Sequence, residues 1–509
     1  MALKKIQAGY RPRIESSEKP ILIMPVTEFG ELMMSGGYGI MVYGLARQLQ
    51  KMGNYDLYMY MPLYKKFQQM HKDGKLALHP LETAGRDIHL HFDYKDYQAK
   101  YYIAEFPGTK IKTIFVDLPG QFDQFENNPY FDVNGNCVFG SEVRYSLFGR
   151  AFWELMISLD KSRLPKIIHA HEWHTGPLTA LHDLYSQGNQ QLKDIKKVFT
   201  VHNEEIQGDF PLDVISQLGF NSEYMDWRLF GHNDRANFLK MALVTADMVT
   251  TVSKAHAGRI CRDDYPFAKG LNPLFQELAR IKKLIGITNG TDFKRRQKPI
   301  TPDERARYTK YIVEKAGLKF NPEFPVVGSL GRIDGWQKGI DLLQGAIKEL
   351  IPNNNFQFLL FGDGDHGIIN DFRNIGNENI GIHGWADRTT VEAFMKGIHF
   401  FMLPSRFDPF GLTVIEALSS GAIPIVSPYA GSADVIINAA KCLKTGTGCL
   451  LGDLTPEDIK HGISYLIKLW YEDKDHSRIY EISRRAQKRD YSWRIPAKQH
   501  LEVYNSLLG

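Results

Sequence analysis

The sequence predicts an α/β protein of two doubly wound domains, each built on a largely parallel sheet. Three observations carry that expectation. The chain has 509 residues, too many for one ordinary core. Short apolar runs ending in polar or glycine-rich turns alternate with amphipathic segments, as strand–helix–strand units do. The alternation also occurs twice, once in each half of the chain.

In the first half PILIMPVTEF, KIIHAHEWH, KKVFTVHN and DMVTTVS read as buried parallel strands, because their apolar runs are continuous rather than alternating. PVVGSLGR, FQFLLFGDG, HFFMLPSR and AIPIVSPY read the same way in the second half. GIMVYGLARQLQKM and GIDLLQGAIKEL carry helical spacing between them. The polar, helix-poor stretch from Asn289 to Tyr308 is the expected boundary. It gives a first domain over 1–295, a second over 300–485, and a C-terminal helix within 486–509 that packs back toward the first domain. In that tail Ala497, Leu501, Tyr504 and Leu508 fall on one helical face.

Composition excludes several classes of function. The 62 basic and 58 acidic residues leave a net charge of +4 with no long like-charge block, so no nucleic-acid partner is expected. A small basic patch for phosphate is still compatible with that balance. Four cysteines, Cys137, Cys261, Cys442 and Cys449, lie far apart and read as free thiols in a reducing compartment. The N-terminus has no apolar signal region and no run of 18 apolar residues occurs, so a cytoplasmic protein without a membrane span is expected.

Ligands of open α/β sheets bind beyond the carboxyl ends of the strands, so the residues after each apolar run matter most. After the first strand, Gly36 and Gly37 allow close backbone approach and open a helix whose N–H groups suit an anion. A tight turn without ligand is the alternative. HAHEWHTG, from His169 to Gly176, holds three histidines, but strand and turn geometry is expected to splay them to different sides, which argues against metal. Glu172 is the better candidate there. His202 and Asn203 end the next strand, where an imidazole can hydrogen-bond sugar hydroxyls or simply finish a turn.

In the second half GRIDGWQKG places Arg332 and Lys338 on one loop, a pair suited to a diphosphate. SRFDPFGLTVIEALSSG places Asp408 before Gly411, Leu412 and Thr413, which open a helix toward phosphate, and Glu416 within that helix. Plain N-capping by Asp408 and a solvated helix face for Glu416 are the alternatives. Together these loops suggest a nucleotide-sugar site.

From about Ile21 onward the chain resembles bacterial glycogen synthase and plant starch synthase, retaining glycosyltransferases of the GT-B fold. SGG, HAHEWHTG, FTVHNEEIQGDFP, FLKMALVTADMVTTVS, TNGTDF, GRIDGWQKGIDLL and PSRFDPFGLT carry the resemblance, in order and across both halves. The resemblance implies two Rossmann-like domains facing an interdomain cleft. It implies that Arg332 and Lys338 bind the donor diphosphate, that Asp408 stands in the place of the family's catalytic glutamate, and that Gly411, Leu412 and Thr413 offer amides to the donor. It further implies that His202, Asn203 and Asn289 contact the transferred sugar, that Glu172 lies near the reacting centre, and that Trp385 stacks on the base. The donor would be a nucleotide-diphosphate sugar, most simply of glucose, the acceptor an α-glucan, and no metal or other cofactor would be needed.

The chain departs from the family pattern in three places. Met34 stands where ADP-glucose enzymes carry lysine, Tyr38-Gly39-Ile40 replaces Leu-Ala-Asp, and Asp408 is one methylene shorter than glutamate. With Glu416 it makes an acid-x7-Glu motif shared by retaining transferases of varied donors. Two alternatives follow: transfer of another sugar to a lipid, small molecule or protein, and a catalytically silent glucan-binding protein.

Overall fold

The computed structural model describes residues 14, 18–83, 88–126, 128–131, 139–292 and 299–509. Cys137, the basic tail through Arg13 and residues 293–298 of the expected boundary lie outside the described residues. The chain divides into two compact units. The first comprises Met1–Thr251, Ile260–Ile287 and Arg494–Gly509; the second comprises Val252–Arg259 and Thr288–Trp493.

The first unit is built on a ten-stranded sheet. Its parallel part runs in the order Leu284–Gly286, Met248–Thr251, Lys196–Val201, Ile167–His171, Ile21–Pro25, Asp56–Pro62, Lys112–Asp117. Lys95–Glu105, His79–Pro80 and Ile88–Phe92 extend it antiparallel. Every residue of Ile21–Pro25 and Ile167–His171 is buried, which is why those runs are apolar without alternation. Sequence-adjacent strands lie on one side of Ile21–Pro25 and the chain then returns to its other side. The topological switch point therefore falls between Ile21–Pro25 and Ile167–His171.

The second unit carries a six-stranded parallel sheet in the order Ile380–His383, Gln357–Phe361, Val326–Leu330, Phe400–Leu403, Ile423–Val426, Cys449–Leu450. Its two faces alternate residue by residue. Val327, Phe358, Leu360, Phe400, Met402, Ile423 and Ile425 enter one core with the helix Ile340–Leu350. Val326, Leu359, Phe361, Phe401, Leu403 and Val426 enter the other with the helices Arg388–Gly397 and Leu412–Ser420. Here the switch point lies between Val326–Leu330 and Phe400–Leu403.

The division differs from the sequence expectation in three respects. It falls at Ile287, where the short strand Leu284–Gly286 completes the first sheet, rather than at 295–300. Residues 252–259 group with the second unit, because Asp434 accepts the amide of Ala255 and Ser253 donates to the Pro409 carbonyl. The C-terminal helix begins at Arg494, and its apolar face ends a turn early: Ala497, Leu501 and Tyr504 are buried, whereas Leu508 is 40% exposed.

Candidate functional site

At the switch point of the second unit, two loops are knitted together. Gly339 ends the first loop at φ +65°, and a Cβ there would lie 2.0 Å from the Pro404 carbonyl oxygen. The Arg406 amide donates to the Gln337 carbonyl at 2.9 Å, and the Arg406 guanidinium grips Asp341 through two bonds of 2.6 and 2.7 Å. Arg406 lies inside a motif whose chemistry drew attention to Asp408, so its bracing role went unread. Its signal is an arginine one turn of chain from the acid.

On this frame Asp334 accepts the Gln337 amide at 3.0 Å and receives Arg332 at 3.2 Å. Arg332 also donates to the Gln337 side chain yet remains 55% exposed, free to turn to a ligand. Lys338 Nζ lies 2.7 Å from Asp408 Oδ2, and the other oxygen of Asp408 accepts the Phe410 amide at 3.1 Å. Asp408 is thus not the cap of the following helix. Gly411, at φ +82°, holds the N-cap of Leu412–Ser420 without a side-chain bond. The N–H groups of Gly411, Leu412 and Thr413 stand where no carbonyl of their own helix reaches them, which leaves them for an anion.

Glu416 is no solvated helix face. Burial pushes its carboxyl above the usual range, and Arg388, at 3.2 Å, opposes that. Arg388 opens the helix that follows Trp385, a residue 67% exposed on the preceding loop. Asn289 belongs to this unit rather than to that of His202 and Asn203. Its amide donates to Val252, and its buried side-chain oxygen has no hydrogen-bond partner. A buried acceptor of that kind wants a donor.

At the switch point of the first unit the geometry revises several expectations. Glu172 adopts φ +65°, and one carboxylate oxygen accepts the amides of His202 at 2.6 Å and Asn203 at 2.9 Å. Burial pushes its carboxyl up to about 8 against the pull of those amides. One oxygen of Glu172 thus shapes the turn that carries His202 and Asn203. Asn203 in turn accepts the Glu205 amide at 3.1 Å.

Gly36 is similarly occupied. Glu28 accepts the amides of Ser35 at 2.7 Å and Gly36 at 3.4 Å, and its other oxygen accepts the Tyr130 hydroxyl at 2.8 Å. The amides of Ser35 and Gly36 therefore hold an internal carboxylate.

The histidines do not splay as expected. Strand period two puts His169 and His171 on one face, with ring centroids 4.1 Å apart, while His174 lies against Trp173. Their nitrogens still do not converge on a common point. His169 faces Tyr504 and Thr200, and His171 Nδ1 lies 3.1 Å from His202 Nε2. His171 Nε2 is buried without a hydrogen-bond partner, as are both ring nitrogens of His174. For the pairing of His171 with His169, their i, i+2 relation was the available signal.

Two doubly wound parallel sheets, a cationic loop beside a free helix start, and a buried histidine pair define a glycosyltransferase of the GT-B fold. The profile of the starch synthase catalytic domain matches residues 22–277, and that of group 1 glycosyl transferases matches 312–486. The glycogen synthase of Clostridium novyi is 27% identical over 506 residues, covering 96% of this chain and 99% of that protein. That of Treponema denticola is 26% identical, covering 95% and 97%. The catalytic domain of Arabidopsis thaliana starch synthase IV, solved with ADP and acarbose, superposes with a TM-score of 0.80 at 23% identity, over 96% and 99% of the two chains. The chain belongs to the starch synthase catalytic-domain family. It is a glucosyltransferase that moves glucose from a nucleotide sugar to a glucan. Among the described residues, no helix is long and apolar enough to cross a membrane.

Proposed function

We propose that the chain extends an α-glucan with retention of configuration, with the two loops of the second unit holding the donor diphosphate. The observation that carries this reading is the Lys338–Asp408 pair beside the open first turn at Gly411–Thr413. As the sugar–phosphate bond breaks, the sugar becomes cation-like and negative charge grows on the diphosphate. Arg332, Lys338 and the helix amides meet that charge in place, without reorganisation at the moment of reaction. Glu416 takes the ribose hydroxyls and Trp385 the base. Asn289 contributes its free carbonyl oxygen to a hydroxyl. In the first unit, His171 and His202 offer ring nitrogens to sugar hydroxyls, held by Glu172.

The leaving diphosphate accepts the acceptor's proton on the same face, so no separate base and no metal are required, and turnover in excess EDTA is expected. The protein works in the cytoplasm, where nucleotide sugars are made. The test is a panel of ADP-, UDP- and GDP-sugars assayed for transfer to maltooligosaccharide, with the anomeric configuration of the product read by NMR. Retained configuration with a glucose donor is expected; inversion, or no turnover of any donor, sinks the reading. Arg332→Ala is expected to lower kcat/KM about 100- to 1,000-fold without loss of fold.

A further inference from the structure

We propose that Tyr504, on the last helix, is a positioning residue for the histidine pair of the first unit, acting through His169. The inference rests on the reading of His171 as a site residue.

Tyr504 is fully buried, and its hydroxyl lies 2.7 Å from Nδ1 of His169, 335 residues earlier in the chain. The other His169 nitrogen, Nε2, lies 2.6 Å from the Thr200 hydroxyl, which itself meets the Thr250 hydroxyl at 2.6 Å. A neutral imidazole carries one N–H, so one of these contacts donates and the other accepts. The two contacts set the plane of the ring, and because both partners are hydroxyls either tautomer satisfies them. Burial keeps both His169 and His171 neutral, with the neighbouring histidine rings pressing the same way.

His169 then serves as a wall. Its ring lies against His171 at 4.1 Å between centroids with a 36° tilt, and His171 is linked to His202 on its other side. His171 is confined between a ring that the last helix holds and a ring that Glu172 holds through the His202 amide. What remains is its Nε2, buried with no hydrogen-bond partner. Removing the Tyr504 hydroxyl leaves a buried acceptor or donor on His169 unmet. The ring must then turn to satisfy it, and the stop against which His171 rests is lost. Tyr504 touches no ligand itself; Tyr55 packs edge-on against its ring, which keeps the phenol in place.

The test is Tyr504→Phe, which deletes only the hydroxyl. We expect kcat to fall about tenfold while KM for donor and acceptor stays within about twofold. In long-range proton–nitrogen spectra of histidine-labelled enzyme, the ring signals of His169 and His171 shift together. His169→Asn cuts the same link from the other end and should reproduce both effects, and the double variant should be no worse than either single one. It also serves if Tyr504→Phe fails to fold. Unchanged kcat and an unmoved His171 signal in the folded variants would overturn the inference, as would additive losses. His171→Ala separates the two claims: full activity in that variant removes the site reading itself, whereas its inactivity beside a fully active Tyr504→Phe removes only the role of Tyr504.

Discussion

Lys338 and Asp408 stand 70 residues apart in sequence and 2.7 Å apart in the fold, each on a loop that leaves a strand flanking the switch point. Asp408 is 8% exposed, and its Oδ2 faces that ammonium. Lys338→Met is expected to lower kcat/KM about 100-fold by removing positive charge from the diphosphate side. The partly buried carboxylate left behind should cost about 1–3 kcal/mol of stability, between the values for exposed and buried pairs. Steady-state kinetics and denaturant titration of one preparation check both.

Glu172 gives stability a pH dependence of known sign. Its carboxyl titrates near 4.5 when unfolded and at about 8 in the fold. Between those values the folded protein binds more protons, so this residue's contribution falls as pH rises through that window. Glu172→Gln removes the ionisation while keeping an oxygen to accept the two amides. Relative to that variant, the native protein should lose thermal stability between pH 5.5 and 8. Parallel melting curves over that range would count against the assignment.

Gly339 controls where Lys338 sits. Alanine there would combine a left-handed backbone with a Cβ pressed on the Pro404 carbonyl. Gly339→Ala should lower the melting temperature and raise the donor KM more than tenfold, because the loops carrying Lys338 and Asp408 must separate. Gly345→Ala, inside the next helix with open space around its Cβ, is the control expected to leave the donor KM unchanged and to raise the melting temperature slightly, if at all.

Glu416 is paired with Arg388 and held away from easy ionisation by burial. If it receives the ribose hydroxyls, Glu416→Gln should raise the nucleotide-sugar KM several-fold and leave product configuration unchanged. A deoxyribose donor should then show a much smaller difference between variant and wild type. An equal penalty on both donors would move Glu416 out of the ribose contact.

The eight strands legible in the sequence are central and buried on both faces, so their apolar runs are unbroken. Leu284–Gly286 and Cys449–Leu450 escaped because two or three residues at a sheet edge carry no pattern. Lys95–Glu105 escaped because an antiparallel strand with one wet face alternates. Arg332, Lys338, Asp408 and His202 stood out in the sequence because topology alone places residues that follow strands at the strands' carboxyl ends. The direction of a side chain after the strand was not legible. Glu172 and Gly36 read as ligand-facing, whereas in the fold one Glu172 oxygen accepts the His202 amide and Glu28 accepts the Gly36 amide. His171 needed the converse observation, a buried nitrogen left over.

The segment Arg494–Gly509 belongs to the unit that begins the chain. During synthesis that unit cannot finish its interior when its own strands have emerged. His169 waits for a hydroxyl made more than three hundred residues later. Until then the ribosome-bound chain carries an N-terminal sheet with an unfilled polar notch, a state open to chaperones. Activity that depends on the histidine pair would accordingly appear only after Tyr504 has been made and docked beside His169.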